Sequence, residues 1–413
     1  GVVFVWLSYN VHGNEAVCTE AALRTMHALV SGTDAGGRDV GAWLERAVVI
    51  IDPCVNPDGR DRYVAFQDRT SGLSPDANPG AIEHDEPWPG GRSNHYMFDM
   101  NRDWAWQTQI ETQGRVSAYR NWMPQVHVDF HEQGVNSPYY FAPAAEPFHR
   151  VISPWQRKCQ EHIGANNARW FDARGALYFT REVFDLFYPA YGDTWPLFNG
   201  AIGMTYEQGG SGRAGRAIMT DLGDTLTLAY RILNHHEAGL STVEESANRA
   251  GELVSEFALH HKKNVEAPFG MYKGYVFPAA QDAALMNELR RLLEANGIEY
   301  GTAPAATSVR CYNYRTGEEA KHNVRKGDLL VDARQPHSGI LQVLMDPDPE
   351  LSDSMTYDIT SWALPHALGL DAFALLAPLT VEATWPMADD FIPASEPGLP
   401  YAWGFARPRG SRR

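Results

Sequence analysis

The chain has 413 residues, and 44% of them are hydrophobic, which is enough to bury one full core and a second one. This composition excludes a short peptide, a disordered tail and a fibre. Lys and Arg number 35 against 51 Asp and Glu, and the formal net charge is −16, so we expect no nucleic-acid partner bound through its phosphates. No run of residues approaches the roughly 18 to 20 apolar residues of a membrane helix, and we expect no membrane span.

The first half of the chain alternates predicted strands with predicted helices. Apolar runs predict strands, and apolar residues at helical spacing predict the helices between them. The strands are expected at 1–7, 47–51, 125–130 and 200–206, and the helices at 15–30, 108–122 and 151–171. The polar stretch from about 56 to 88, rich in Pro, Gly and Asp, is interpreted as a long ordered surface loop. This alternation predicts an α/β fold with a mixed, mostly parallel sheet covered by helices.

The second half begins with a long helical region over about 220–263. A new strand at 274–277, a helix at 281–296 and a strand at 329–331 follow. We therefore divide the chain into a larger domain over 1–264 and a smaller C-terminal α/β unit with its tail over 265–413.

A metal site is predicted at the carboxyl ends of the strands, where α/β sheets place their ligands. His12 and Glu15 lie three residues apart where the first strand gives way to a helix, but such a pair is also expected by chance in a chain with 15 His. His131 ends another strand and completes a set of two His and one Glu. This set suits one zinc ion and leaves a position open for water, as in catalytic zinc sites.

Two alternatives compete for roles at this site. His127 has the same strand parity as His131, but it lies within the strand body, so we favour His131 as the ligand. Glu207 ends the fourth strand and is the preferred general base, with Glu132 as its competitor.

An amide-hydrolysing site also benefits from a cation near the developing oxyanion. Arg92 and Arg102 both follow turn-rich sequence in front of the predicted site. Either could equally be an ordinary surface arginine, so the residue pattern alone leaves this role open.

Five short motifs together resemble the zinc carboxypeptidases of peptidase family M14, the carboxypeptidase A-like enzymes. They are His-Gly-Asn-Glu at 12–15, Asn-Pro-Asp-Gly at 56–59, Asp-Met-Asn-Arg-Asp-Trp at 99–104, Asp-Phe-His-Glu at 129–132 and Thr-Tyr-Glu at 205–207. Their order and spacing follow the family pattern through about residue 220. The sequences at 129–134, 187–189 and 206–210 are most similar to those of the large secreted bacterial branch.

The resemblance implies a role for each residue at the metal. His12, Glu15 and His131 would bind one zinc ion. Glu207 would deprotonate the zinc-bound water and pass the proton to the leaving amine. Asp99 matches the aspartate that orients the imidazole of His12.

The resemblance also implies residues that hold the substrate. Asn101 and Arg102 match the pair that binds the terminal carboxylate, which restricts cleavage to a chain end. Arg92 is our choice for the arginine that stabilises the oxyanion, although its distance to Asn101 along the chain is shorter than usual in the family.

Two further substrate contacts follow the family pattern less closely. The family's mobile tyrosine would be Tyr188 or Tyr191, yet neither lies at the family spacing from Glu207. The residue that sets the side-chain preference falls at Asp193, which would either favour basic C-terminal residues or be structural.

The ends of the chain depart from the family pattern. The family domain has two strands before the one that leads to the first zinc ligand, so we expect two strands upstream of Gly1. Beyond residue 265 the C-terminal unit resembles the appended region of the bacterial branch, and we expect a stabilising or substrate-orienting role for it. By resemblance alone, an extracellular or periplasmic location is expected.

The leading functional hypothesis is a zinc metallocarboxypeptidase that acts on peptides with a free C-terminal carboxylate. A related amidase, deacylase or cell-wall peptide hydrolase would use the same chemistry on another substrate. A catalytically silent binding module is the third alternative, and the presence of three ligands together with Glu207 argues against it.

Overall fold

A computed structural model describes residues 1–353, 356–357 and 362–380 of the chain. Its strands are β1 (Val3–Tyr9), β2 (Ala47–Asp52), β3 (Val126–Gln133), β4 (Tyr139–Tyr140), β5 (Tyr178–Phe179), β6 (Ile202–Gly209), β7 (Ala217–Met219), β8 (Thr225–Thr227), β9 (Gly274–Phe277), β10 (Gly301–Thr302), β11 (Thr307–Asn313), β12 (Glu318–Val324), β13 (Leu329–Asp332) and β14 (Phe373–Leu375). Its α-helices are α1 (Val17–Ser31), α2 (Pro57–Thr70), α3 (Ile110–Trp122), α4 (Pro154–Asp172), α5 (Thr194–Phe198), α6 (Leu228–Asn248), α7 (Ala250–Glu266), α8 (Ala283–Ala295), α9 (Ser338–Met345) and α10 (Leu364–Ala367).

The larger sheet has the strand order β2-β1-β3-β6-β4-β5. All neighbouring pairs are parallel except β4 and β6, which are antiparallel. The predicted mixed, mostly parallel sheet covered by helices is therefore confirmed. The four predicted strands of the first half correspond to β1, β2, β3 and β6.

Both faces of the central strands are covered, which explains their nearly continuous apolar sequence. In β1, Val5 and Leu7 pack into a core that includes side chains of α1, α4 and α6. Trp6 points to the opposite face and packs on Tyr119 of α3, with ring centroids 5.3 Å apart. The strand is thus buried on both sides, and its end is held firmly in place.

The interpretation of 56–88 as one long loop is wrong in its first part, because residues 57–70 form α2. Asn56 caps this helix by accepting a hydrogen bond from the Gly59 amide, and Pro57 occupies its first turn. Tyr63 and Phe66 are its buried large side chains. Because so few positions of α2 are buried, its sequence shows only a weak apolar repeat at helical spacing, and the helix could not be predicted from it.

The predicted helical region at 220–263 also divides differently. It contains the short strand β8 before the first helix, and the helical part breaks at Arg249 between α6 and α7. No helix in the described residues is both long and apolar enough to cross a membrane.

The smaller sheet lies in the C-terminal part of the chain and has the order β10-β13-β9-β14-β11-β12. All its pairs are antiparallel. Residues of both parts of the chain share one hydrophobic core, in which Trp104 and Trp195 meet side chains of α8 and α9. Asn296, which follows α8, accepts a hydrogen bond from Trp195 Nε1 at 2.8 Å and donates one to the Ala105 carbonyl at 2.8 Å. The C-terminal unit is therefore packed firmly against the larger part of the chain.

Candidate active site

Three predicted metal ligands converge at the carboxyl ends of β1 and β3. His12, Glu15 and His131 are buried, and their ligand atoms lie within 4.8 Å of one another. The Nδ1 atoms of the two imidazoles are 3.3 Å apart. Glu15 Oε1 lies 2.9 Å from His12 Nδ1, and Glu15 Oε2 lies 3.1 Å from His131 Nδ1. Two nitrogens and a carboxylate thus face one common point.

A carboxylate behind each imidazole fixes its orientation. His12 Nε2 lies 3.0 Å from Asp99 Oδ1, and His131 Nε2 lies 2.9 Å from Asp129 Oδ2. Each aspartate can accept the Nε2 proton, which leaves the Nδ1 lone pair free for a metal. This donor set and its supporting carboxylates fit zinc.

The imidazoles and nearby guanidinium of this cluster stabilise the ionised forms of its carboxylates. Burial raises the pKa of Glu15, but the imidazoles of His12 and His131 outweigh that effect and bring it below its usual value. Burial likewise raises the pKa of Asp99, and the contact with His12 and the nearby Arg92 bring it below its usual value. Both carboxylates are therefore held in the ionised form that a metal ligand and its supporting acceptor require.

Close backbone packing holds the first two ligands in their turn. A Cβ atom on Gly13 would lie 2.2 Å from the backbone of Gly59, and one on Gly59 would lie 2.3 Å from the carbonyl of Gly91. Asn56 Nδ2 donates to the carbonyls of Val11 at 3.2 Å and Arg92 at 3.1 Å. The Asn-Pro-Asp-Gly motif therefore joins the His12 turn to the segment that carries Arg92.

The two candidate bases occupy different environments. Glu207 pairs in register with His131 on the neighbouring strand and is buried beside the ligands. Burial raises the pKa of Glu207 to about 8. The nearby His131 opposes this rise, and Glu15 adds to it. Glu132 instead forms a buried ion pair with Arg231, with 2.6 Å between Oε1 and Nη1. Of the two candidate bases, Glu207 therefore lies in register with His131, whereas Glu132 is held in an ion pair.

A cleft of about 310 Å³ opens in front of the ligands. Nine of the predicted site residues line it: His12, Glu15, Arg92, Asn101, Arg102, His131, Tyr191, Asp193 and Glu207. Asp99 lies behind His12, as described above.

The two predicted arginines enter the cleft from the same segment. Arg92 is half-exposed, its Nη2 lies 2.8 Å from Asp99 Oδ2, and its Nη1 lies 3.4 Å from His12 Nδ1. The Arg102 guanidinium lies over the ring of Tyr191, 4.6 Å from its centroid. Asn101 Oδ1 accepts a hydrogen bond from the Gly192 amide at 2.8 Å, which fixes the adjoining wall of the cleft.

The two candidate tyrosines are not equivalent. Tyr191 lines the cleft, whereas Tyr188 is not among the cleft-lining residues. The hydroxyl of Tyr188 accepts a hydrogen bond from Trp106 Nε1 at 2.6 Å, within the aromatic core. The structure therefore brings only Tyr191 of this pair to the predicted site.

His127, the alternative ligand, lies away from the three converging ligands. Its ring packs against Trp104 and Tyr119, with centroids 5.4 and 5.5 Å away. Burial lowers its pKa to about 3, so it is a neutral histidine of the core.

Asp193 lies in the cleft wall as the predicted specificity residue. It is buried, and its Oδ2 accepts a hydrogen bond from Thr205 Oγ1 at 3.0 Å. Burial raises its pKa to about 7.

Sequence reasoning missed two residues at the site, Asp129 and Tyr357. Asp129 lies two positions before His131 on the same face of β3, and this spacing was the available signal. Tyr357 comes from the C-terminal unit and lines the cleft. Nothing in its local sequence indicated this position, because the contact depends on how the two parts of the chain pack.

Residues 3–137 match the sequence model of the zinc carboxypeptidases, peptidase family M14. This stretch includes the three converging ligands, Asp99 and both cleft arginines, whereas Glu207 lies beyond it. The resemblance predicted from the motifs is therefore confirmed for this part of the chain. No match was found among curated proteins.

Three solved structures are reported as similar to this chain. A metallo-carboxypeptidase from Burkholderia cenocepacia is 15% identical, with a TM-score of 0.42, over 62% of this chain and 58% of that one. A metallo-carboxypeptidase from Pseudomonas aeruginosa, in complex with (2-guanidinoethylmercapto)succinic acid, is 14% identical, with a TM-score of 0.39, over 61% and 58%. Bovine thrombin-activatable fibrinolysis inhibitor, in complex with tick carboxypeptidase inhibitor, is 16% identical, with a TM-score of 0.39, over 60% and 83%. The chain thus spans 58% of the length of the two bacterial proteins.

Proposed function

We propose that this protein is a zinc-dependent metallocarboxypeptidase that removes C-terminal amino acids from peptides. One observation carries the proposal: two imidazoles and a carboxylate converge within 4.8 Å beside the buried Glu207. The match of residues 3–137 to the zinc carboxypeptidases supports the same proposal.

His12, Glu15 and His131 would hold the zinc ion. When bound, zinc supplies Lewis-acid chemistry, which polarises the scissile carbonyl and makes water a stronger nucleophile. Glu207 accepts a proton from the attacking water and delivers it to the leaving amine. Arg92 stabilises the negative charge that develops on the carbonyl oxygen.

Asn101 and Arg102 supply the preference for a chain end. A guanidinium offers several donors in a fixed plane, which suits the two oxygens of a terminal carboxylate. The stack on Tyr191 holds the Arg102 guanidinium in one orientation within the cleft. A peptide would therefore bind with its carboxyl end beyond the ligands and its last amide bond beside Glu207.

Incubation of a mixed peptide library with zinc-loaded protein is expected to release single residues from the carboxyl ends. Removal of the metal with a chelator should abolish this release, and added zinc should restore it, because the three ligands support catalysis only with metal bound. Mass spectrometry of the library gives both results. Intact peptides, together with hydrolysis of N-acyl amino acids or cell-wall peptides, would contradict the peptidase proposal and favour the amidase-like alternative.

Asp193 is expected to favour Lys and Arg at the cleaved position, because its buried carboxylate can pair with a substrate cation. The Asp193→Asn variant should lose about tenfold or more in the ratio of kcat/KM for Arg-terminated over Phe-terminated peptides. An Asp61→Asn variant, changed on the exposed face of α2, is the matched control and should keep the wild-type ratio.

The same ratio should depend on pH in the wild type. Because the pKa of Asp193 is raised to about 7, the carboxyl is neutral at pH 5 and ionised at pH 8. The preference for basic residues should therefore rise with pH across this range, by up to about tenfold per unit below the pKa. Both substrates need Glu207, so the ratio cancels its titration. A ratio that stays constant with pH would argue for a purely structural Asp193.

Two further assignments belong to this proposal. An extracellular or periplasmic location rests on the resemblance to the secreted bacterial branch. The division into a catalytic domain over 1–264 and an accessory unit over 265–413 rests on the separate sheets of the two parts.

A further inference from the structure

One wall of the cleft comes from the C-terminal unit, in the form of Tyr357. The residue is 49% exposed, so it is accessible to solvent as well as lining the cleft. Tyr191, the other tyrosine among the described cleft residues, is buried under Arg102. Tyr357 is therefore the tyrosine that an entering ligand meets.

Contacts to the larger domain hold Tyr357 in this position. Its backbone amide donates a hydrogen bond to Asp185 Oδ2 at 2.5 Å. Its ring packs against Phe184 and Tyr191, with centroids 5.5 and 6.3 Å away. The residue is thus fixed through both its backbone and its ring.

A second anchor lies a few residues further along the chain. Trp362 Nε1 donates to the Val343 carbonyl at 2.8 Å, and its ring meets the edge of Phe187 with centroids 5.2 Å apart. Trp362 also packs against Tyr188, so this part of the C-terminal unit is attached to the loop that leads to Tyr191. The packing of the two parts of the chain therefore decides where Tyr357 lies.

The charges around Tyr357 suit a hydrogen-bond donor. Burial raises the pKa of Tyr357, and the Glu207 carboxylate adds to the rise, while Arg102 and Arg92 oppose it. The phenol therefore keeps its proton at neutral pH. Glu207, Arg92 and Arg102 line the same cleft as Tyr357.

We propose that Tyr357 is a substrate-binding residue contributed by the C-terminal unit, and that its hydroxyl donates a hydrogen bond to the C-terminal residue of the bound peptide. This inference rests on the proposed peptidase function. It assigns the accessory unit a direct part in the site, because the larger domain alone lacks this donor.

The test uses zinc-loaded Glu207→Gln protein, which is expected to bind peptide without cleaving it. N-acylated dipeptides ending in Arg or Phe serve as probes in titration calorimetry. Introducing Tyr357→Phe into the Glu207→Gln protein should weaken peptide binding about tenfold or more, because the lost hydroxyl would donate to a charged carboxylate. Tyr357→Ala should weaken it at least as much. Tyr312→Phe, on the smaller sheet, removes a hydroxyl away from the cleft and should leave affinity unchanged.

Steady-state kinetics give a second readout in protein that retains Glu207. Tyr357→Phe should raise KM about tenfold and change kcat by less than about threefold, since the contact is made in the bound substrate as well as in the transition state. Unchanged peptide affinity and unchanged KM in Tyr357→Phe would overturn the inference and leave the peptidase proposal standing. Failure of Glu207→Gln itself to bind any peptide would overturn the peptidase proposal as well.

Discussion

Replacement of Glu207 by Gln is expected to lower kcat for peptide cleavage about 10²- to 10⁴-fold, the usual contribution of a positioned general base. Glutamine keeps the size of the side chain but cannot accept the proton of the attacking water. Glu207 lies beside the three ligands without being one of them, so zinc content should stay at the wild-type level.

Kinetics with a single peptide substrate, together with metal analysis of the purified variant, provide the measurement. KM should change little, because the residues proposed to bind the substrate carboxylate, Asn101 and Arg102, are unchanged. Glu161→Gln, an exposed position on α4, removes a carboxylate in the same way and should keep full activity. Residual activity within about tenfold of wild type would exclude Glu207 as the base and direct attention to Glu132.

Replacement of Arg231 by Met is expected to lower the free energy of unfolding by about 3–5 kcal/mol, the usual effect of removing one partner of a buried ion pair. Glu132 and Arg231 are both almost fully buried, with 2.6 Å between Oε1 and Nη1. Arg231 also binds the carbonyl of Gly215, and a Cβ atom on Gly210 would lie 2.2 Å from Glu132 Oε1. The pair therefore attaches the glycine-rich loop after β6 to the strand that carries His131.

The loss of unfolding free energy in the Arg231→Met variant should be larger at pH 8 than at pH 6. Burial already raises the pKa of Glu132 to about 7 with Arg231 present. Without the guanidinium, the folded variant takes up a proton that the unfolded chain does not bind. A folded-state pKa above the unfolded value means that stability falls as pH rises.

Urea denaturation at the two pH values measures both effects. The double variant Glu132→Gln/Arg231→Met removes both charges and should recover part of the loss. Arg181→Met removes the partner of the exposed Glu161 and should cost no more than about 0.5 kcal/mol. Equal stabilities of Arg231→Met and wild type at pH 8 would contradict a structural role for the pair.

Much of the larger sheet could be predicted from the sequence because its central strands are buried on both faces. Such strands appear as apolar runs, and β1, β2, β3 and β6 all lie where these runs predicted them. The polar helix α2 escaped prediction because few of its side chains are buried. The antiparallel strands β11 and β12 were missed for the same reason, since most of their residues are exposed.

The convergence of His12, Glu15 and His131 was predictable because the sequence encodes their positions locally. His12 and Glu15 belong to a single turn, and His131 follows an apolar strand whose carboxyl end lies at the same edge of the sheet. Strand register then places Glu207 beside His131. A short motif or a strand end is enough to indicate each of these positions.

The sequence by itself thus determined the sheet and the residues that line its carboxyl edge, because local apolar patterns and short motifs encode both. Only the tertiary structure decided which neighbours each of these residues meets. It paired Glu132 with Arg231, placed Asp129 behind His131, buried Tyr188 in the core and brought Tyr357 into the cleft. These contacts join segments far apart in the chain or depend on side-chain packing, and no local pattern specifies which of them form.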